Sequence, residues 1–260
     1  MSGKNMFDLT NRVAVVTGGA GLLGSEFSRT LAEAGGSVVI ADLDRTLAQD
    51  LASDLTSAGL SAFAVQTDIT NPRSVQNMVT QTLDTFGDLD ILVNSAALDP
   101  KVKEQNPERQ SSKESPPPDP LSFSFEDYPL DLWNQALEVN LTGMFLACQA
   151  AVHPMLEKQH GVIINLCSIY GLAGPDQRIY QREGQASRYK PVHYSVTKAG
   201  VLGLTRYLAT YYAGKNIRVN AITPGGVYNN QDDDFVKSYT ARTVMGRMAR
   251  KDEMNGALLF

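Results

Sequence analysis

Cysteine is scarce in this chain of 260 residues, where Cys148 and Cys167 are the only two. Two cysteines provide no disulfide framework of the kind that small secreted domains carry. Apolar runs long enough to span a membrane are also lacking, and Met1 to Thr10 does not form a secretory signal. Basic residues are outnumbered, with 23 Lys and Arg against 28 Asp and Glu, and they form no dense tract. These absences predict a cytoplasmic protein that binds neither nucleic acid nor a membrane, and we predict no metal site.

The remaining composition is that of an ordinary globular domain. Apolar residues make up 43% of the chain, enough for one sizeable core, so we predict a single domain over residues 1–260. Short β-branched runs alternate with longer amphipathic stretches. This alternation predicts an α/β fold in which a parallel sheet carries helices on both faces. Among the longer elements we expect helices over about 130–158 and 194–213, and a strand over 217–222.

The most informative pair of residues is a tyrosine four positions ahead of a lysine, Tyr194 and Lys198. On a helix, residues four apart share a face. The Lys198 ammonium can then lie beneath the Tyr194 phenol, where a positive charge lowers the phenol pKa toward neutrality. A phenol tuned in this way can donate or accept a proton, so we predict that Tyr194 is a general acid or base.

A glycine-rich turn follows the first predicted strand, with Gly18, Gly21 and Gly24 spaced three apart. The preceding run, 12–17, is short, apolar and β-branched, as is typical of a buried parallel strand. Glycines allow a sharp turn and let the backbone approach a pyrophosphate, and the following helix presents free N–H groups to the anion. The turn therefore predicts a dinucleotide site. A glycine-rich turn that binds nothing is the alternative.

Asp42 ends the second predicted strand, 24 residues after Gly18 (42 − 18). In a dinucleotide-binding unit, an acidic residue near this position accepts hydrogen bonds from the adenosine ribose. Its charge would also repel the 2′-phosphate of NADP, so NAD is the predicted cofactor. The alternative interpretation of Asp42 is a helix N-cap for the segment that begins near Asp44.

Together, and in this order, the motifs resemble the short-chain dehydrogenase/reductase family over nearly the whole chain. Further matches are Asp68 with Ile69, Asn94 to Ala97, Asn140, Ser168, and Pro224 with Gly225. The resemblance implies a doubly wound, Rossmann-type sheet with strand order 3-2-1-4-5-6 and the cofactor across the carboxyl ends of the strands. It also implies an oxidoreductase that transfers a hydride to or from a secondary alcohol or ketone. Similarity to members from bacterial surface-sugar and nonulosonate pathways implies a sugar or sugar-acid substrate.

The resemblance implies a role for each matching residue. Tyr194 is the general acid/base, Lys198 lowers its pKa and holds the nicotinamide ribose, and Ser168 hydrogen-bonds the reacting oxygen. Asn140 supports a water-mediated proton path to Lys198. The residues implied in cofactor binding, besides Tyr194 and Lys198, are Gly18, Gly21, Leu22, Leu23, Gly24, Asp42, Asp68, Ile69, Asn94, Ala96, Pro224, Gly225 and Val227. The alternative function is a regulatory or scaffold protein that binds a dinucleotide without turnover, because fold does not fix function.

Two stretches interrupt the alternation of strands and helices and are predicted to be insertions. The first, 98–129, carries seven prolines and is expected to be a surface loop with little regular structure. The second, 172–193, holds four cations, namely Arg178, Arg182, Arg188 and Lys190. Because arginine pairs well with carboxylate and phosphate, this segment predicts an anionic small-molecule substrate. A solvated loop or a subunit contact is the alternative.

The family's seventh strand has no counterpart here, since residues 252–260 are predicted to form a helix with an apolar tail. Without that strand, the sixth strand would be an exposed hydrophobic edge, which invites pairing with another chain. We therefore expect either a truncated sequence or another segment over this edge. The helices over 130–158 and 194–213 are expected to form a homodimer or homotetramer.

Overall fold

Short runs of Val, Ile, Leu and Ala form the sheet of this protein. The structure, a computed structural model, describes residues 6–100 and 119–260. Its strands are β1 (Val13–Thr17), β2 (Ser37–Asp42), β3 (Ala62–Gln66), β4 (Ile91–Asn94), β5 (Gly161–Leu166) and β6 (Ile217–Ile222). They pair in parallel in the order β3-β2-β1-β4-β5-β6. The predicted fold class and strand order are therefore confirmed.

Helices follow the strands in the alternating pattern that the sequence predicts. They are α1 (Leu22–Glu33), α2 (Arg45–Ser57), α3 (Pro72–Phe86), α4 (Leu130–Leu137), α5 (Met144–Glu157), α6 (Val192–Tyr211), α7 (Asp233–Thr240) and α8 (Asn255–Leu259). Residues close in the sequence determine where each helix begins and ends. Before α3, the Asn71 side chain accepts hydrogen bonds from the N–H groups of Arg73 and Ser74, and Pro72 occupies the first helical position. Among the described helices, none is both long and apolar enough to cross a membrane.

The core consists of two apolar layers, one on each face of the sheet. Neighbouring residues of β1 point to opposite faces, and Val15 and Val16 are both 0% exposed. Val15 belongs to the layer beneath α3, α5 and α6, and Val16 to the layer beneath α1 and α2. A third, smaller cluster lies apart from these layers and is formed by Leu121, Ile179, Tyr180, Phe235, Tyr239 and Met248. We call this third cluster the roof cluster.

The helix predicted over about 130–158 is present, and it contains an irregular turn. A π-helical turn, Glu138–Gly143, separates α4 from α5. This turn carries Asn140, whose side chain accepts a hydrogen bond from the Leu98 N–H at 2.7 Å and donates one to the Leu98 carbonyl at 3.1 Å. These bonds join the irregular turn to the loop after β4. Periodicity alone does not reveal such a turn, because its cause lies in a distant segment.

The two predicted insertions differ in how much of them the structure describes. Residues 101–118 of the first lie outside the described part of the chain, and residues 119–129 include one short 3₁₀ turn, Pro120–Ser122. The second, 172–193, contains a 3₁₀ turn, Gln177–Tyr180, whose last two residues are buried in the roof cluster. The second segment is therefore a packed part of the fold.

Within residues 6–100 and 119–260 the sheet has no seventh strand, and β6 pairs with β5 alone. The chain after β6 instead forms α7 and α8. Leu258 of α8 is 3% exposed and packs with Ile91 and Ile164 on one face of the sheet. A helix forms over Asn255–Leu259 of the predicted range 252–260, and it covers a face of the sheet.

Candidate active site

A cleft of about 510 Å³ opens at the carboxyl ends of the strands. Loops that follow all six strands meet there, which is where ligands bind in open α/β sheets. Tyr194, Lys198 and Ser168 line it together. The predicted cofactor residues in its lining are Gly18, Gly21, Leu22, Leu23, Gly24, Asp42, Asp68, Ile69, Ala96, Pro224, Gly225 and Val227.

The glycine turn forms one end of this cleft, and its backbone leaves no room for side chains. A Cβ added to Gly24 would lie 1.9 Å from the Gly18 carbonyl oxygen, and one on Gly18 would lie 2.7 Å from the Ala96 Cα. Gly21 is the N-cap of α1 and provides no side-chain cap, so the first N–H groups of α1, beside Leu22, face the cleft region. A cradle of bare backbone at a helix N-terminus fits a dinucleotide pyrophosphate.

Asp42 lies beside this turn and is held there by backbone hydrogen bonds. Its carboxylate accepts from the Ala20 N–H at 3.0 Å and from the Asp44 N–H at 3.1 Å. The N-cap of α2 is Asp44, which accepts from the N–H groups of Thr46 and Leu47. The alternative interpretation of Asp42 as a helix cap is therefore wrong, and its carboxylate lines the cleft.

Tyr194 and Lys198 share one face of α6, as predicted, and the Lys198 ammonium lies over the Tyr194 ring. Lys198 is 5% exposed, its Nζ donates to the Leu166 carbonyl at 2.7 Å, and it lies 5.8 Å from the centre of the Tyr194 ring. Burial raises the pKa of Tyr194, the Asp99 carboxylate raises it further, and the Ser168 hydroxyl opposes both. Burial is the largest of these influences, and the prediction that the Lys198 charge lowers this pKa stays a prediction. Burial also lowers the pKa of Lys198, to about 8.

Ser168 follows β5, and its side chain both bonds to the backbone and lines the cleft. Its hydroxyl accepts a hydrogen bond from the Tyr170 N–H at 3.2 Å and so caps the short turn Ile169–Gly171. This contact fixes the position of the side chain beside Tyr194. The hydroxyl therefore stands pre-positioned at the cleft, as the sequence predicts for a group that binds a reacting oxygen.

Asn140 and Asn94 lie behind the cleft lining. Asn140 donates to the Thr197 hydroxyl at 3.2 Å in addition to its bonds with Leu98, so it braces the loop after β4 against α6. Its predicted proton path to Lys198 stays a prediction. Asn94 is buried, and its amide donates to the Asn165 oxygen at 2.9 Å across β4 and β5. The prediction that Asn94 contacts the cofactor stays a prediction, and its side chain joins two strands.

Five residues that line the cleft were not predicted from the sequence, namely Asp99, Tyr170, Phe235, Tyr239 and Met248. Of the four cations in 172–193, Lys190 lines the cleft. The three arginines form ion pairs away from the lining, Arg178 with Asp176, Arg182 with Asp232 and Arg188 with Asp119. No sequence motif predicts that these residues line the cleft, because they come together only through tertiary packing.

Comparisons with known proteins agree with this geometry. Residues 12–238 match the family model described as short chain dehydrogenase. The chain therefore belongs to the short-chain dehydrogenase/reductase family. It is an oxidoreductase that acts on CH–OH groups, and its family uses NAD or NADP as cofactor.

Three similar proteins cover almost the whole chain. A subunit of (2S)-[(R)-hydroxy(phenyl)methyl]succinyl-CoA dehydrogenase from Thauera aromatica is 31% identical over 97% of this chain and 89% of its own length. Cis-4-hydroxycyclohexanecarboxylate dehydrogenase from Sinomonas cyclohexanicum is 35% identical over 96% of this chain and 88% of its own length. A crystal structure of a short chain dehydrogenase from Leptospira borgpetersenii with bound NAD⁺ has a TM-score of 0.81 and 30% identity, and covers 100% of this chain and 89% of that one.

Proposed function

We propose that the protein transfers a hydride between NAD and a secondary alcohol or ketone, with Tyr194 as general acid/base. The observation that carries this proposal is one continuous cleft with the glycine turn and Asp42 at one end and Tyr194, Lys198 and Ser168 at the other. When bound, the nicotinamide supplies the hydride chemistry. The protein's own groups do the rest: Ser168 orients the substrate oxygen, Tyr194 holds or releases its proton, and Lys198 adds positive charge near the developing oxyanion.

A regulatory or scaffold protein that binds the dinucleotide without turnover is the second candidate. The intact set of Ser168, Tyr194 and Lys198 in the cleft favours the enzyme. Formation of NADH, followed by its absorbance in the presence of candidate alcohols, separates the two functions. NAD binding without turnover of any member of the panel below would favour the regulatory protein.

We infer further that the substrate is a ring-bearing secondary alcohol, of which a sugar or sugar acid in ring form is one kind. The lining of the cleft also includes Tyr170, Tyr180, Phe235, Tyr239 and Met248. Flat aromatic faces pack well against rings. The names of the Thauera and Sinomonas relatives place a secondary hydroxyl beside or on a ring in both cases. An anionic substituent would have to compete with Asp99 for Lys190, which is the one of the four cations in 172–193 that lines the cleft.

A kinetic panel tests this substrate class. Cyclohexanol, cis-4-hydroxycyclohexanecarboxylate, a neutral ring sugar and the unbranched alcohol 2-hexanol would be compared by kcat/KM with NAD. We expect cyclic alcohols to exceed 2-hexanol by about tenfold or more, since burying one additional hydrophobic contact is worth about 1–3 kcal/mol. A higher kcat/KM for 2-hexanol than for every cyclic alcohol would contradict the proposal.

Asp42 is expected to make NAD preferred over NADP. Like charges brought together cost several kcal/mol, so we expect NAD to bind at least about tenfold more tightly than NADP. Asp42→Asn keeps an oxygen for the Ala20 N–H but removes the charge, and it should narrow this gap. The measurement is the dissociation constant of each cofactor by fluorescence titration. Asp44→Ala is the matched control, because it removes a nearby carboxylate that caps α2, and it should leave the ratio unchanged.

We propose, in addition, that the protein is a cytoplasmic homodimer or homotetramer built on the faces of α4, α5 and α6. Tyr207 and Tyr211 on α6 are 61% and 64% exposed, and their rings stack at 5.6 Å. Exposed aromatic pairs on one helix are typical of association surfaces. Light scattering at micromolar concentration measures the mass, and a monomer would contradict this proposal.

A further inference from the structure

Lys190 is a buried cation that the proposed chemistry does not use. Its side chain is 8% exposed, and its Nζ donates to the Asp99 carboxylate at 2.6 Å. The same Nζ lies 3.7 Å from the centre of the Tyr194 ring, closer than that of Lys198 at 5.8 Å. The ammonium nearest to the Tyr194 ring is therefore that of Lys190, among the residues that the structure describes.

The position of Lys190 is fixed from both sides of its backbone. Its N–H donates to the Gln177 side-chain oxygen at 2.8 Å, and its carbonyl accepts from the Gln177 amide at 3.2 Å. Pro191 then begins the approach to α6, so the chain has little freedom here. Because its backbone is anchored in this way, the Lys190 side chain can hold its charge over the Tyr194 ring without a large loss of conformational entropy.

Asp99 is placed by a second anchor. It follows Leu98, whose backbone N–H and carbonyl both bond to the buried Asn140 side chain. Its carboxylate lines the cleft and is 42% exposed. The two members of the ion pair thus come from separate loops, and each loop is held by a bidentate side-chain amide.

A cation over an aromatic face interacts more strongly with a phenolate than with a phenol, because the negative charge spreads into the ring. A carboxylate close by has the opposite effect. The other titratable groups that face Tyr194 from the surrounding elements are Lys198, Cys167, Tyr170 and Tyr180. Lys198 is the other cation among them, and it is bonded to the Leu166 carbonyl.

We propose that Lys190 and Asp99 are positioning residues that set the proton affinity of Tyr194 in opposite directions. Lys190 stabilises the phenolate, and Asp99 limits that stabilisation while holding the ammonium over the ring. The proposal rests on the proposed function, in which Tyr194 exchanges a proton with the substrate. Its distinctive consequence is that removing the two partners of one ion pair has effects of opposite sign, which general damage to the site would not produce.

The test reads the protonation of Tyr194 directly and needs no turnover. Difluorotyrosine, whose phenol titrates at lower pH than that of tyrosine, is placed at position 194 of the full chain and followed by fluorine NMR against pH. Lys190→Met should raise the titration midpoint and Asp99→Asn should lower it, each by about one pH unit, as expected for a charge within about 4–6 Å. The double variant should have a titration midpoint near that of the parent protein. Lys190→Arg should also have a midpoint near that of the parent.

The ion pair of Arg188 and Asp119 provides a matched control. Its charged atoms are 2.7 Å apart, and its carboxylate is 43% exposed. Arg188 lies in the same segment as Lys190, and neither Arg188 nor Asp119 lines the cleft. Arg188→Met and Asp119→Asn should leave the midpoint unchanged. Unchanged midpoints in both Lys190→Met and Asp99→Asn, or shifts of the same sign, would overturn the proposal. If Lys190→Met fails to fold, the proposal is judged on whether Asp99→Asn lowers the titration midpoint.

A different measurement, the turnover of Tyr194→Phe, tests the proposed function itself. Retention of turnover by Tyr194→Phe would remove Tyr194 as the general acid/base, whatever the fluorine titration shows. Opposite midpoint shifts in the labelled protein would still establish the electrostatic effect of the pair on Tyr194. In an active enzyme, the pH at which alcohol oxidation reaches half its maximum should move in the same directions as the two midpoints.

Discussion

Tyr194→Phe is expected to lower kcat for alcohol oxidation by about 100-fold or more, the range over which general acid/base groups contribute. The change removes the transferable proton but keeps the ring, so the dissociation constant of NAD should stay within about twofold, a change of less than 1 kcal/mol. Steady-state kinetics with the best alcohol of the panel measures the first quantity and fluorescence titration the second. Retention of most of the parent kcat would show that another group moves the proton.

Tyr170→Phe is the matched control for this substitution. Tyr170 also lines the cleft, and its ring lies 6.4 Å from that of Tyr194. The same loss of one hydroxyl should leave most of the kcat in place. The pH dependence provides a further check: oxidation needs the deprotonated phenol, so the parent rate should rise with pH. Since burial raises the Tyr194 pKa, the rise should continue well above neutral pH.

Gly24→Ala is expected to destabilise the fold by about 3 kcal/mol and to weaken NAD binding by about tenfold or more, as overpacking of rigid contacts does. The added Cβ would lie 1.9 Å from the Gly18 carbonyl oxygen. That atom belongs to the backbone, so the whole turn must move away from the helix. Chemical denaturation and fluorescence titration measure the two effects.

Gly203→Ala is a suitable comparison, because Gly203 also lies within a long helix, α6. A Cβ there meets nothing within 4 Å. Alanine should therefore stabilise α6 by about 0.5–1 kcal/mol through its higher helix propensity, and NAD binding should not change. Equal losses in Gly24→Ala and Gly203→Ala would contradict the steric explanation.

Much of the cofactor half of this site could be predicted from sequence, for a physical reason. In a βαβ unit the turn, the helix start and the acidic end of the next strand are close along the chain, so spacing determines their geometry. Gly18, Gly24 and Asp42 accordingly line the cleft. The order of the strands was predicted from the family resemblance, and the structure confirms it.

The substrate half depends on contacts between segments far apart in sequence, which spacing does not encode. Lys190 and Asp99 meet across 91 residues, and the π-helical turn exists beside a loop some 42 residues away from Asn140. The burial of the phenol, which raises the Tyr194 pKa, could not be predicted either. Sequence shows that a lysine follows four residues later, but it does not show that Lys198 is bonded to the Leu166 carbonyl and that the phenol is buried.

The roof cluster has an evolutionary consequence. Its side chains pack among themselves, and the ion pair between Arg182 and Asp232 ties the segment before α6 to the start of α7. The two sheet layers form separate clusters that do not include these residues. Mutations that reshape the roof therefore leave the layers that carry the glycine turn largely intact. A lineage with this architecture can explore new substrates through the roof while keeping the glycine turn and Asp42 unchanged, with Tyr239 as the exception, because its hydroxyl accepts a hydrogen bond from the Gly226 N–H beside the predicted cofactor residue Gly225.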